Sequence, residues 1–365
     1  MPVVLGAAAT RAARGTAQGL FGPRSESVVD AVCRVVGLQA QDVKANRLAV
    51  RVRTVAGVVQ ADVDAACNVD RTLIRTWAMR GTLHMLAAED VGWVLGLLGP
   101  RFAAGYAGRR KQLGLDDRAL EAAVDGLRKV LGDGEPLQRD ELVSRLASCG
   151  VPLDPRSQAP AHLLMYAGMT GVVCRGPDVG ADRATYTLLA DWAGPTPAMS
   201  EDEAVVELAR RYLIGHAPAT PDDFASWAGL PIVPSRAAFE ALSPELVEVE
   251  AAGRRCWVPA AVPIEENAGG VRLLGHFDTY LLGYESRTLV VDEKHDPLIQ
   301  AGGGFIQPTI LVDGRVVGLW RLVRKAKRFE VELEPFGDLA KRTMAGIRAE
   351  VRDLQRFLGL PVELR

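Results

Sequence analysis

Two glutamines, Gln39 and Gln41, stand two residues apart in the segment Leu38-Gln39-Ala40-Gln41-Asp42. An amide has no useful pKa, so neither side chain can serve as a general acid or base. Each carbonyl can still accept a hydrogen bond from water and point its negative end at an electron-poor carbon. In an extended loop, residues i and i+2 face the same side, so one pocket could receive both. Taken alone, the pair reads more simply as ordinary surface residues at a polar helix end. Asp42 adds a carboxylate next door, which the same alternation turns away from the pair. The five cysteines and five histidines form no CxxC pair and no metal-ligand spacing, so neither a metal site nor a disulfide framework is expected.

The elements that would position these residues repeat along the chain. Ser27 to Leu38 sets Val28, Val32, Val35 and Val36 on one helical face, with Ser25 or Ser27 as caps. A short helix over Asp62 to Asn68 and strands around Arg71 to Trp77 and Met79 to Leu86 follow. Helices then a small ribbon are the outline of a winged helix. The outline returns with helices over Gln138 to Ser148 and Ala159 to Thr170, and a ribbon from Val172 to Arg175 and Ala184 to Leu189 around a turn at 176–182. It returns again with helices at Ala204 to Ile214, Pro221 to Ala228 and Arg236 to Leu242, and a ribbon from Leu246 to Glu250 and Arg254 to Val258. The last hundred residues differ. Asp313-Gly314 marks a hairpin within Ile306 to Leu322, Phe329 to Leu333 adds a strand, and Asp338 to Leu358 is a long amphipathic helix. The expected fold is α+β, with domains at 1–100, 101–198, 199–262 and 263–365.

Composition bounds the reading without deciding it. The chain has 365 residues, 48% hydrophobic and 24% charged, and a net charge of −2. That suits a folded protein of two or three domains. No apolar run reaches the roughly 18 residues of a membrane span, and the first twenty residues lack a secretory core, so a cytoplasmic protein is expected. Arginine supplies 36 of the 43 basic residues. Clusters occur at Arg47, Arg51 and Arg53, at Arg109, Arg110 and Lys111, and from Arg321 through Arg324, Lys325, Lys327 and Arg328. Such clusters suit phosphate or are simply solvated charge; counting leaves both open.

Four phrases carry a resemblance: Leu38 to Asp42; Arg75-Thr76-Trp77-Ala78-Met79-Arg80-Gly81-Thr82-Leu83-His84; His276-Phe277-Asp278-Thr279-Tyr280-Leu281-Leu282-Gly283-Tyr284; and Val312-Asp313-Gly314-Arg315-Val316-Val317-Gly318-Leu319-Trp320. Together they resemble a bacterial winged-helix family that includes DNA glycosylases able to unhook interstrand crosslinks, in the branch whose signature is Gln-apolar-Gln. The resemblance implies three tandem winged helices in a C-shaped arrangement around a DNA channel, with a C-terminal β-rich domain and a long terminal helix. It also implies a monofunctional glycosylase, monomeric and nucleoid-associated, that needs no metal or nucleotide cofactor. Its partner would be double-stranded DNA with alkylated or crosslinked purines, and its role self-resistance to a DNA-alkylating natural product such as azinomycin. Gln39 and Gln41 become the catalytic candidates, with Asp42, Arg80, His84, Asp278, Tyr280, Tyr284, Arg324, Lys325 and Lys327 as DNA-binding or site-lining candidates.

The chemistry is coherent with that implication. Alkylation at N7 makes the purine cationic, so the base leaves neutral and strong acid catalysis is unnecessary. An oxocarbenium-like sugar and a water to trap it remain, tasks that carboxylates perform in glycoside hydrolases. Two amide carbonyls suffice only for a leaving group already activated. A base tethered to the opposite strand cannot swing far into a pocket, so the Asp313-Gly314 hairpin or the 302–304 glycine loop is a candidate to approach the lesion in place. Two other classes compete. A transcription regulator needs a polar recognition helix, whereas Ala159 to Thr170 is almost wholly apolar. A drug-sequestering protein would bind the alkylating agent without forming abasic sites.

Overall fold

The computed structural model describes every residue except Met1, Pro2, Ala181, Thr196, Ala198, Ala301 and Gly303. Two compact units emerge, one of residues 1–63 with 205–365, the other of residues 64–204.

In the unit of residues 64–204, strands Leu73–Trp77 and Leu83–Ala87 pair antiparallel, with Thr76 opposite His84. The expected strand from Met79 is shorter than its alternation suggests. Met79–Gly81 is a 3-10 turn in which Arg80 and Gly81 both take positive φ, 53° and 68°. Helix Val91–Gly105 follows, and then Asp117–Val130, Arg139–Ser148 and Ala159–Met169. Their leucines at 120, 127, 142, 146 and 163 make one core. Strands Val173–Arg175 and Thr185–Leu188 form the ribbon, and Leu137–Gln138 pairs with the latter. That two-residue strand is too short for alternation to reveal, so the sequence gives no signal for it. Arg75 anchors the sheet from inside: it is buried, bonded to the carbonyl of Gly176 at 2.8 Å and ion-paired with Asp178.

In the other unit, helices Glu201–His216, Pro221–Ala228 and Ile232–Ala241 precede strands Leu246–Ala251 and Arg254–Pro259. This is the third expected group, with its last helix starting four residues earlier than Arg236. Thr220 and Asp223 form a reciprocal capping box, and Gly229 ends that helix in the left-handed conformation. Strand Val3–Leu5 adds to the same sheet in parallel, Val3 opposite Val249. A five-stranded sheet runs in the order Val271–Leu274, Thr309–Val312, Arg315–Arg324, Phe329–Pro335, Val362–Leu364. Helix Lys341–Leu358 covers it, seating Ile347, Val351 and Leu354 on Leu273, Ile310, Trp320 and Val331.

The Asp313-Gly314 hairpin forms as expected, both residues at positive φ (47° and 78°), which suits a two-residue hairpin turn. Its tip is braced against the rest of this unit, although Asp313 itself is exposed. Asp313 accepts from the Gly270 N–H at 2.8 Å and pairs with Arg342 at 3.2 Å. The Tyr280 hydroxyl donates to the Gly314 carbonyl at 3.1 Å, and a Cβ on Gly314 would lie 2.8 Å from that hydroxyl. In the other candidate loop, Gly303 lies outside the described residues, as does Ala181 in the 176–182 turn.

Candidate active site

The glutamine motif sits between a strained corner and a helix start. Ser27 caps helix Val28–Arg34 by accepting from the Asp30 N–H, and the helix stops short of its expected end. The reason is local: Val36 takes φ 65° and Gly37 φ 153°, and a β-branched residue at positive φ cannot continue a helix. The chain then extends through strand Leu38–Gln39, with Leu38 and Ala40 buried, Gln39 half-buried and Gln41 exposed. The alternation therefore places both glutamines on one side. They meet: Gln39 Nε2 donates to Gln41 Oε1 at 2.8 Å. That bond orients the Gln41 carbonyl and leaves its second lone pair for another donor, such as a water.

Asp42 plays a different part. It is the N-cap of helix Val43–Arg51 and its carboxylate accepts from the Ala45 N–H at 2.9 Å. The cap puts a negative charge at the positive end of the helix, so the surroundings of Gln41 are not cationic on that account.

That helix is fixed from beneath. Arg51 is fully buried and reaches Glu350 at 2.9 Å, Asp353 at 2.8 Å and the Leu273 carbonyl at 2.9 Å. Arg53, also fully buried, makes a two-pronged pair with Asp278 at 2.7 and 2.9 Å and a bond to Gln18 at 3.1 Å. Gly275 packs against the same helix so closely that a Cβ would come within 3.2 Å of the Ala45 carbonyl. Arg51 and Arg53 are thus interior struts rather than phosphate contacts, a correction to the first basic cluster.

The same correction applies to the candidates at 278–284. Asp278, Tyr280 and Tyr284 are buried. Asp278 holds Arg53 and caps Tyr280, Tyr280 bonds Gly314, and the Tyr284 hydroxyl donates to the His216 carbonyl at 2.9 Å. Burial pushes the Tyr284 hydroxyl up to about 12 and that of Tyr280 higher still, so both stay protonated. Asp278 steadies the end of helix Val43–Arg51 through Arg53, which also donates to the Ala49 carbonyl, and the two tyrosines tie this segment to Gly314 and His216.

Arg80 and His84 lie together in the other unit. His84 is buried; its Nδ1 lies 2.9 Å from the Thr82 carbonyl, which makes it the protonated nitrogen. Burial and then Arg80 push the imidazole down to about 3, while the Thr82 bond pulls the other way, and burial lowers Arg80 to about 10. The basic run at 324–328 forms an exposed turn. Lys325 N–H donates to the Arg328 carbonyl at 2.9 Å, and Arg324, Lys325 and Lys327 are exposed. Beneath it lies the buried Glu330: burial would raise its pKa, yet Arg328, Arg365 and Lys325 hold it below the ordinary value.

The chain is similar to known proteins along most of its length. Residues 32–357 match the family of AlkZ-like DNA glycosylases. The chain belongs to that family. It is 32% identical to an interstrand DNA cross-link repair glycosylase of Streptomyces sahachiroi, an alignment covering 94% of this chain and 95% of the relative. Its fold is similar to that of the solved Streptomyces sahachiroi DNA glycosylase AlkZ, at a TM-score of 0.79 and 30% identity with both chains covered completely. The family match begins seven residues before Gln39, so the glutamine motif lies inside it. Among the described residues, no helix is long and apolar enough to cross a membrane.

Sequence reasoning missed a buried polar network in the unit of residues 1–63 with 205–365. Arg14 is buried over the Tyr284 ring at 3.7 Å, bonds the Pro218 carbonyl at 3.0 Å and pairs with the fully buried Asp223 at 3.5 Å. His216 is buried between the Tyr212 ring, 4.5 Å away, and the Thr279 hydroxyl, 3.1 Å from its Nε2. An arginine bound for the interior looks in a sequence like one bound for the surface. The apolar residues around Arg14 and Arg51 were the one available signal.

Proposed function

We propose that this DNA glycosylase excises bulky N7-alkylated purines from duplex DNA, unhooking interstrand crosslinks and leaving abasic sites, with Gln39 and Gln41 as its catalytic pair. The observation that carries the reading is the 2.8 Å bond between the two amides on the exposed side of the motif. One glutamine fixes the other, so a carbonyl dipole is oriented before the substrate arrives, the condition under which such dipoles stabilise charge most. The Gln41 carbonyl would face the cationic sugar as the neutral base departs and would hold the water that traps it. Neither amide changes protonation state, so the site suits only a base already made a good leaving group. That a relative is named for cross-link repair supports a bulky, tethered substrate here too; resistance to a DNA-alkylating natural product such as azinomycin is the corresponding biological role.

The helical groups ending in ribbons at Leu73–Ala87, Val173–Leu188 and Leu246–Pro259 are, in this reading, three tandem winged helices over the ranges 1–100, 101–198 and 199–262, with 263–365 as the C-terminal domain. The exposed turn of Arg324, Lys325 and Lys327 grips backbone phosphate, with the half-buried Arg80 as a further candidate at the turn of the first ribbon, whereas His84 is buried and bonded to the Thr82 carbonyl and is a packing residue instead of a DNA contact. The protein works as a monomer in the cytoplasm. The test is base release from duplex DNA bearing an N7-alkylguanine, read as strand cleavage in hot alkali. Release by wild type and loss in Gln39→Ala or Gln41→Ala is expected. Full activity in both variants would reject the pair, and no release from any N7 adduct would reject the substrate class.

A further inference from the structure

Helix Lys341–Leu358 sorts its charges by face. Its two carboxylates point inward: Glu350 is buried and Asp353 half-buried, and they accept from Arg51 at 2.9 and 2.8 Å. Its outward face carries only cations. Lys341, Arg342, Arg348 and Arg352 are exposed, and the other exposed positions are two alanines and a glutamine. Lys341, Arg348 and Arg352 fall at i, i+7 and i+11, within about 20° of one line along the helix, and the row is about 16 Å long.

This arrangement costs the helix stability. Its N-cap, Ala340, makes no side-chain bond, and the first turn holds Lys341 and Arg342 but no acid, although the positive end of a helix dipole favours anions. Arg348 and Arg352 stand four residues apart, where like charges repel. Elsewhere, surface arginines on helices are offset within their own helix, Arg128 by Asp125 and Arg145 by Glu141. Here Arg342 pairs with Asp313 at 3.2 Å. Among the described residues, Lys341, Arg348 and Arg352 have no carboxylate partner. A face that accepts these costs is suited to an anion from outside the chain.

We propose that the outward face of this helix is a DNA-contacting surface, on which Lys341, Arg348 and Arg352 hold backbone phosphates of the duplex flanking the lesion. A straight row of cations fits a regular polyanion, and at 3.4 Å per step it runs beside about five base pairs. Contact with phosphate carries no sequence information, so the surface binds any duplex alike. Arg51 ties this helix to Val43–Arg51, and both belong to the unit that carries the glutamines. The inference rests on DNA being the substrate of this glycosylase family and not on the glutamine pair, because holding undamaged duplex involves no catalysis.

The test is fluorescence anisotropy of a labelled, undamaged duplex of about 30 base pairs, titrated with the full-length protein at several salt concentrations. Each phosphate contact contributes about 0.9 to the slope of log K against log salt. Arg348→Gln/Arg352→Gln should lose two contacts, a fall of about 1.8 in the size of that slope. Its melting temperature should not drop, since glutamine suits a helix and the change removes a repulsion. Arg348→Lys/Arg352→Lys keeps the charge and should keep the slope. Arg128→Gln/Arg145→Gln changes the net charge equally, away from this helix, and should keep the slope as well. An unchanged slope in Arg348→Gln/Arg352→Gln would overturn the proposal and leave the face to solvent or to an acidic protein. An equal fall in the lysine variant would overturn it too, because charge would not be the cause. So would an equal fall in Arg128→Gln/Arg145→Gln, because the effect would then belong to net charge and not to this face.

Discussion

At the scale of single residues, the proposed mechanism depends on two amides behaving as a unit. Losing one preorganised dipole typically costs about a hundredfold or more in rate, and each of Gln39→Ala and Gln41→Ala is expected to lose that much. Because one glutamine orients the other through the 2.8 Å bond, the double variant should be little worse than either single one. Rates of base release for the four proteins check this; losses that multiply would mean two independent roles. His84 yields a second expectation, on stability. Its folded pKa of about 3 lies below its ordinary 6.5, so the unfolded chain binds the extra proton. The contribution is therefore whole above about pH 6.5 and declines as pH falls toward about 3. Urea midpoints should drop over that window, and by less in His84→Gln; an identical drop in the variant would show that other groups govern it.

At the scale of elements, helix Val43–Arg51 delivers the motif, and its rigidity comes from ion pairs far away in sequence. Removing one partner of a buried pair leaves the other charge stranded, typically at about 3–5 kcal/mol. Asp278→Asn, which strands the fully buried Arg53, should lower stability by that order and slow base release as well. Gln41→Ala should slow base release without moving the melting temperature. Thermal melts beside rates separate the two; an Asp278→Asn protein as stable as wild type would remove Asp278 from the support of this helix. The contrast also marks what could be read from the sequence. Local features were legible: the hairpin from Asp313-Gly314, the ribbon after Leu246, the long final helix, and the same-side placement of the glutamines. Features made by distant contact were not. Val3–Leu5 pairing in parallel with 249–251, Val362–Leu364 beside Phe329–Val331, and the struts from Arg51 and Arg53 depend on partners about 30 to 300 residues away, and periodicity carries no information about partners. The tyrosines at 280 and 284 were misplaced for the same reason: a phrase shared with a family marks that a residue matters without saying whether it touches substrate or holds up the element that does.

At the scale of the whole molecule, a chain of net charge −2 must hold a polyanion, so DNA affinity has to come from local clusters. The internal pairing of Arg51 and Arg53 leaves the exposed turn at 324–327 as the stronger basic candidate. Lys327→Ala should weaken binding to any duplex sequence alike and reduce the salt dependence of log K by about one unit; titrations at several salt concentrations test it, and an unchanged slope would place the grip elsewhere. The central claim is that an amide pair catalyses departure of an N7-alkylated purine. The most direct measurement is single-turnover base release from duplex carrying one N7-alkylguanine, by wild type, Gln39→Ala and Gln41→Ala, beside a duplex carrying uracil. Fast release of the alkylated base by wild type, strong loss in both variants and no release of uracil is the expected result. Release that survives both substitutions, or that extends to uracil, would contradict it.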